Sequence, residues 1–297
     1  MNQQIILENS SITLFVKRED LLHPSISGNK FRKLKYNLEE ARIQKADTLL
    51  TFGGAYSNHI AAVAAAGVEH GFKTIGIIRG EEIVNKVGDN PTLSFAQHCG
   101  MKLIFTTRQQ YRHKNLEELS VSIGAGHDKF YIIPEGGTNE LAVRGCEEIL
   151  TPEDSEFDYV CCAVGTGGTI AGIINSSAAH QKILGFPALK GNFLADEISK
   201  FAHGNNWELI SGYEFGGYAK IDADLITFIN AFYKQTNIAL DPVYTGKVLF
   251  GVMDLIKGDF FPTRSKILVI HTGGLQGIKG MNIKLKSKNL PLIITDV

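Results

Sequence analysis

Short apolar runs that end in glycine turns constrain this chain more than any other feature. Tyr159-Val160-Cys161-Cys162-Ala163-Val164 carries no charge and is followed at once by Gly165-Thr166-Gly167-Gly168-Thr169. An unbroken apolar run of this length suits a strand buried on both faces, the kind found in helix-covered parallel sheets. The pattern recurs. Thr48-Leu49-Leu50-Thr51-Phe52 ends at Gly53-Gly54, and Ile267-Leu268-Val269-Ile270 ends at His271-Thr272-Gly273-Gly274. Thr74 to Ile78, Leu103 to Phe105 and Phe130 to Ile133 are further strand candidates, and Ile60 to Ala66 reads as a helix of small residues. Strand, glycine turn, helix, strand is the signature of an α/β fold with open, mostly parallel sheets, flanking helices and right-handed crossovers. Ligands in such sheets bind beyond the carboxyl ends of strands. Three polar turns follow strands here: Gly53 to Asn58, Gly165 to Thr169, and Thr272 to Gly274. If their strands lie side by side, the turns converge on one cleft.

A chain of 297 residues suggests about two domains, and no repeat or low-complexity linker marks a boundary between them. With 21% charged residues and a formal net charge of −1, bulk charge gives no reason to expect a nucleic-acid or membrane-surface partner. Cys99, Cys146, Cys161 and Cys162 lack metal-ligand spacing, so no metal is expected. The first residues have no basic segment leading into an apolar one, and no apolar stretch approaches the ~18 residues of a membrane span. The expected setting is reducing cytoplasm with free thiols.

Lys30 sits in Ser27-Gly28-Asn29-Lys30-Phe31-Arg32-Lys33-Leu34. Phe31, Leu34, Leu38 and Ala41 share one face of a helix, and Ser27-Gly28-Asn29 offers capping chemistry before it. Lys30 then lies in the first turn, beside the positive end of the helix dipole, with Arg32 and Lys33 adding like charge. These effects disfavour the ammonium form and lower the lysine pKa. An imine-forming lysine needs that, because only the neutral amine is a nucleophile. By itself such a basic run reads as a solvated helix face; the other motifs change the reading.

In Gly53-Gly54-Ala55-Tyr56-Ser57-Asn58-His59, the glycines let the backbone approach a ligand, and Ser57 and Asn58 fall near a helix N-terminus suited to a carboxylate. An ordinary helix cap is the competing reading. Gly165 to Thr169 follows a buried strand and opens a helix, where amides cradle a phosphate. A dinucleotide fingerprint wants glycine where Ile170 stands, and no acidic residue follows at ribose distance. One phosphate fits better than two. A lysine, a polar loop and a phosphate loop are the parts needed to hold pyridoxal phosphate. Glu135 to Asn139 and Asp241 to Lys247 read as turn chemistry by default.

The segments Ser-Gly-Asn-Lys-Phe-Arg-Lys-Leu from Ser27, Tyr-Ser-Asn-His from Tyr56 and Leu-Asp-Pro-Val-Tyr-Thr-Gly-Lys from Leu240 together resemble the 1-aminocyclopropane-1-carboxylate (ACC) deaminase and D-cysteine desulfhydrase family. These are fold type II pyridoxal-phosphate enzymes, and the likeness runs from about Lys17 to the Thr272 turn. The resemblance implies two domains: residues 1–33 with 141–297 as the large cofactor-binding domain, and residues 34–140 as a small inserted one. It also implies a homodimer. Lys30 matches the lysine that forms the imine with the cofactor. Asn58 matches the residue bonded to the cofactor's phenolic oxygen, and Ser57, with His59, the loop that receives the substrate carboxylate. Gly165, Thr166, Gly167, Gly168 and Thr169 match the phosphate cup, Tyr218 and Tyr244 two active-site tyrosines, and Thr272 a hydroxyl near the pyridine nitrogen. ACC deaminases resembling this chain carry Glu after the second tyrosine, paired with that nitrogen; this chain has Thr245, as desulfhydrases do. The chain is also compact around Gly185 to Gly212, so its substrate pocket need not match either activity.

The resemblance therefore implies a lyase or deaminase of a small amino acid, foremost a D-cysteine desulfhydrase-like β-elimination giving an oxo acid, ammonia and sulfide. Lys30 is the expected base, with Tyr218 or Tyr244 handling protons at the leaving group. ACC deamination to 2-oxobutanoate and ammonia is the alternative. A non-catalytic pyridoxal-phosphate-binding protein and a nucleotide-binding oxidoreductase are the readings from other classes.

Overall fold

The computed structural model describes residues 1–112, 129–191 and 193–296. Its strands are β1 (Asn2–Ile5), β2 (Thr13–Lys17), β3 (Thr48–Gly54), β4 (Lys73–Arg79), β5 (Lys102–Thr106), β6 (Phe130–Ile133), β7 (Tyr159–Val164), β8 (Lys182–Pro187), β9 (Trp207–Leu209) and β10 (Lys266–Ile270). The helices are α1 (Asn29–Ile43), α2 (Asn58–His70), α3 (Pro91–His98), α4 (Arg108–Arg112), α5 (Glu140–Cys146), α6 (Gly168–Ser176), α7 (Phe193–Ser199), α8 (Ala223–Thr236), α9 (Thr245–Lys257) and α10 (Gly277–Lys286).

Among the described residues the strands form two sheets, in the orders β1-β2-β10-β7-β8-β9 and β5-β4-β3-β6. Every pairing is parallel except that of β1 with β2. The apolar run at β7 is a central strand, buried from Val160 to Val164, with β10 and β8 beside it. Each large apolar side chain taken from water there contributes about 1.5–3 kcal/mol. The fold is the α/β architecture with parallel, helix-flanked sheets that the glycine-ended runs predict.

Two helices set the site. Helix α2 is buried from His59 to Gly67, and small side chains let it lie close on its sheet: a Cβ on Gly67 would meet the Thr74 side chain at 2.3 Å. Ser57 caps it by accepting from the Ile60 amide. Helix α1 starts against the larger sheet, where the Asn29 amide donates to the Thr272 carbonyl at 3.2 Å, and continues into the smaller sheet's core through Leu34, Leu38 and Ala41. Its cap differs from the expectation. Gly28 holds the cap position with φ +60°, and no side chain caps the helix. A Cβ on Gly28 would lie 2.0 Å from the Thr272 oxygen, so close approach rather than capping selects glycine. The Asn29 side chain instead donates to Thr169 Oγ1 at 2.8 Å.

Candidate active site

The ends of β3, β7 and β10 meet at one cavity, although β3 belongs to the smaller sheet and does not lie beside β7 and β10. Lys30, Ser57, Asn58, His59, Gly165, Thr166, Gly167, Thr169, Tyr218, Tyr244 and Thr272 all line it. Gly168 stands just behind, as the first residue of α6. A Cβ there would come within 2.9 Å of Thr138 Oγ1 and 3.2 Å of Lys33 Nζ.

Lys30 is half-buried, and burial pulls its amine down to about 7, with Lys33 adding to the effect. Arg32, read from sequence as a second like charge, is turned away: its Nε donates to Glu19 Oε2 at 2.8 Å. The larger cause, burial, is one that sequence does not display. Lys33 is 2% exposed and also lines the cavity. Its Nζ donates to Thr138 Oγ1 at 2.9 Å and the Gly136 carbonyl at 3.1 Å, and lies 3.5 Å from Thr166 Oγ1. No carboxylate among the described residues pairs with it, and burial lowers its pKa.

The polar loop has fixed proton positions. Asn58 Oδ1 accepts from Gln276 Nε2 at 2.6 Å, which leaves Nδ2 as a donor. Thr51 donates its one hydroxyl proton to the Ile133 carbonyl, so His59 Nε2, 2.8 Å away, carries hydrogen. Nδ1 is then bare, and it is buried without a hydrogen-bond partner. Burial, with Lys30 and Lys33, holds the imidazole well below its ordinary pKa, hence neutral.

The two tyrosines face each other, ring centroids 6.3 Å apart and edge-on. Tyr218 keeps 45% of its surface exposed, whereas burial and Tyr218 push the Tyr244 phenol well above its ordinary pKa. Asp241 organises the turn before α9: its carboxylate accepts from the amides of Val243, Tyr244 and Thr245 at 2.8–3.0 Å. Thr245 is the residue the structure does not bring into the cavity. Its hydroxyl donates to Asp241 Oδ1 at 2.8 Å and accepts from the Asp241 amide at 2.9 Å. The hydroxyl expected at the cofactor is thus engaged by Asp241 at the start of α9. Thr272 lines the cavity instead.

Sequence reasoning missed Lys33, Asp241, Gln276 and Lys247. The spacing of Lys33, three residues after Lys30, was the available signal, since i and i+3 share a helix face. Among the described residues no cluster could hold a metal ion, and no helix is long and apolar enough to cross a membrane.

A parallel α/β fold with a half-buried, easily deprotonated lysine facing a glycine-rich helix start defines a class, the enzymes that use pyridoxal phosphate. Residues 5–273 match the pyridoxal-phosphate dependent enzyme family, and the chain belongs to it. Its cofactor is pyridoxal phosphate. The residues present fit that group. Lys33 offers a cation with no carboxylate partner among the described residues, the glycine-rich Gly165 to Gly168 turn leaves backbone open to a phosphate, and Lys30 offers an amine that is substantially neutral near pH 7. The chain is 32% identical over 295 residues to the mitochondrial bifunctional D-cysteine desulfhydrase/1-aminocyclopropane-1-carboxylate deaminase of Arabidopsis thaliana, covering 89% of this chain and 73% of that one. It is 28% identical to the D-cysteine desulfhydrase of Klebsiella pneumoniae subsp. pneumoniae, covering 88% and 86%. A crystal structure of an ACC deaminase homologue superposes with a TM-score of 0.84 at 28% identity, covering 97% of this chain and 93% of that one.

Proposed function

We propose that the protein is a desulfhydrase acting on D-cysteine, releasing an oxo acid, ammonia and sulfide. The observation that carries this reading is the cavity lining: among the described residues it contains two lysines, two tyrosines and no carboxylate. Without a carboxylate to keep a pyridine nitrogen charged, the site suits loss of an α-proton and a good leaving group better than opening of a ring that has no α-proton. Bound there, pyridoxal phosphate supplies an electron sink for charge that develops at the substrate Cα.

The chain's own groups then have these roles. Lys30 is the nucleophile that holds the cofactor and the base that removes the Cα proton, a task its depressed pKa allows near neutrality. Ser57 and the first amides of α2 receive the substrate carboxylate, beside the neutral His59 ring. Asn58 donates Nδ2–H to the phenolic oxygen, its amide oriented by Gln276. Amides from Gly165 to Thr169, with the Lys33 ammonium, hold the phosphate. Thr272, which lines the cavity, would stand near the ring nitrogen. Tyr244, kept protonated by burial, and Tyr218 deliver a proton to the departing sulfur.

The strands of the larger sheet come from residues 2–17 and 159–270, and those of the smaller from 48–133, which supports the division into residues 1–33 with 141–297 and residues 34–140. We place the protein in the cytoplasm as a homodimer, in keeping with its four free cysteines. ACC deamination is the second reading, favoured by the likeness to the ACC deaminase homologue. Sulfide and ammonia release from D-cysteine, L-cysteine and ACC, each followed on the holoenzyme, tests the assignment. Sulfide from D-cysteine is the expected result. Ammonia from ACC alone would replace it with the second reading, and no ammonia from any would mark a binding protein without turnover.

A further inference from the structure

Lys247 lies in the first turn of α9, is 2% exposed, and points away from the cavity. Its Nζ donates to the carbonyls of Glu214 at 2.7 Å and Gly217 at 2.9 Å. No carboxylate among the described residues pairs with it. Asp241, Glu214 and Asp222 favour its charge from a distance, but a buried ammonium with no direct ion pair is costly to keep, and its two hydrogen bonds go to main-chain carbonyls. Both end on the segment that delivers Tyr218, and Gly217 is the residue immediately before it.

That segment does not hold its shape by local preference. Gly212, Phe215, Gly216, Gly217 and Ala219 all have positive φ, and Phe215 and Ala219 do so while carrying side chains. Such backbone persists only where surroundings over-determine it. Tyr213 anchors the start of the segment, donating to Asp254 at 2.7 Å and packing on Phe186 and Phe250. Further along, the Phe215 ring packs edge-on against Phe250 of α9 at 5.0 Å, Lys284 reaches the Ala219 carbonyl at 3.3 Å from an exposed position, and Lys247 binds from the buried side. Tyr218 is 45% exposed, and its ring and hydroxyl both meet Tyr244. Beyond that contact, its placement in the cavity depends on the backbone that carries it.

We infer that Lys247 is a positioning residue: by clamping the Glu214 and Gly217 carbonyls it fixes Tyr218 in register with Tyr244. The two tyrosines are then set by one helix start. Asp241 fixes Tyr244 through the amides that open α9, and Lys247 fixes Tyr218 one turn later. Depressed basicity accords with this placement, since burial pulls the Lys247 ammonium down to about 8. The inference rests on the reading of Tyr218 as a proton carrier, and it is tested so that the two fail separately.

The experiment uses the holoenzyme with Lys247→Met, Tyr218→Phe and the double variant. Sulfide release from D-cysteine and hydrogen exchange of the peptide spanning residues 212–220 are measured together. Lys247→Met should raise amide exchange in that peptide about tenfold and lower kcat about tenfold with KM changed by less than about threefold, as expected for a misplaced group that acts in the transition state. In the double variant kcat should fall no further than in Tyr218→Phe alone, because both changes remove the same function. Unchanged exchange overturns the clamp, and multiplying effects in the double variant overturn action through Tyr218. If Tyr218→Phe is silent, the reading of that tyrosine falls, while the exchange arm still judges whether Lys247 holds the segment. Should the Met variant not fold, Lys247→Gln drops the charge and sets its two N–H donors one bond short of the ammonium position; it should show exchange raised by a smaller factor, and native exchange would overturn the clamp.

Discussion

Lys33 and Lys247 are equally buried and neither has a carboxylate partner, yet they sit in opposite settings. Lys33 faces the cavity, held by one carbonyl and two rotatable hydroxyls, Thr138 and Thr166, which lie 2.6 Å from each other. Lys247 faces the protein, held by two main-chain carbonyls. Hydroxyls can turn to serve an incoming anion, and carbonyls cannot. The first cation is built to accept a ligand, and the second is already spent on shape. A buried lysine is thus read from the kind of oxygen around it, not from its depth.

The sharpest reference point for this contrast is the third lysine. Lys30→Ala should lower turnover of D-cysteine and of ACC by roughly a thousandfold or more, measured as ammonia release. Retained turnover with either substrate would remove Lys30 from the chemistry.

Between the two buried lysines the expected effects divide. Lys33→Met should weaken pyridoxal-phosphate binding by about 10–100-fold, the range for a lost charge-assisted hydrogen bond. Lys247→Met should leave that affinity within about threefold, with its cost falling on kcat. Fluorescence or absorbance titration of the apoprotein decides it, and equal losses of affinity in the two variants would end the contrast.

The pH dependence of stability comes next. Lys30 binds its proton less tightly in the folded chain than in the unfolded one, its pKa falling from 10.5 to about 7. Between those values the unfolded chain holds a proton that the folded chain has released, so apoprotein stability rises with pH. The contribution is about 1 kcal/mol per pH unit and vanishes below about 7, where both states are protonated. Lys247 adds the same sign from about 8 upward. Urea midpoints against pH should therefore climb between 7 and 10, and Lys30→Met should flatten the lower part of that climb. The smallest effect is expected at Thr245. Thr245→Val removes both hydroxyl hydrogen bonds to Asp241, the one donated to Oδ1 and the one accepted from its amide, and should cost about 2 kcal/mol of stability. kcat should stay within about twofold; a larger fall would return Thr245 to the cofactor.

The central strands were legible because burial on both faces leaves an unbroken apolar run, as in Tyr159 to Val164. Strands β1, β2, β8 and β9 were not, since they lie toward the sheet's margins or are short and mixed in character, such as Trp207–Leu209. Residues of the turns at β3, β7 and β10 could be named because glycine and small polar residues follow directly on those runs. Lys33 and Lys247 escaped for the opposite reason. A lysine is written the same way whether solvated or buried, and the partners of these two lie 30–133 residues away. Family position alone places Thr245 at the cofactor, whereas a hydroxyl at a helix start also has a local claimant, here Asp241.

Strand β10 lies between β2 and β7, and its end supplies the Thr272 oxygen against which Gly28 is packed. A ribosome delivers β2 and β7 long before β10. Until then the two strands present unpaired edges to each other across a gap, and the helix bearing Lys30 has nothing to rest its first turn on. Such non-local pairing makes folding slow. The cofactor site is therefore completed only near the end of synthesis, and a chain cut short before Ile270 would expose two sticky edges and bind no vitamin.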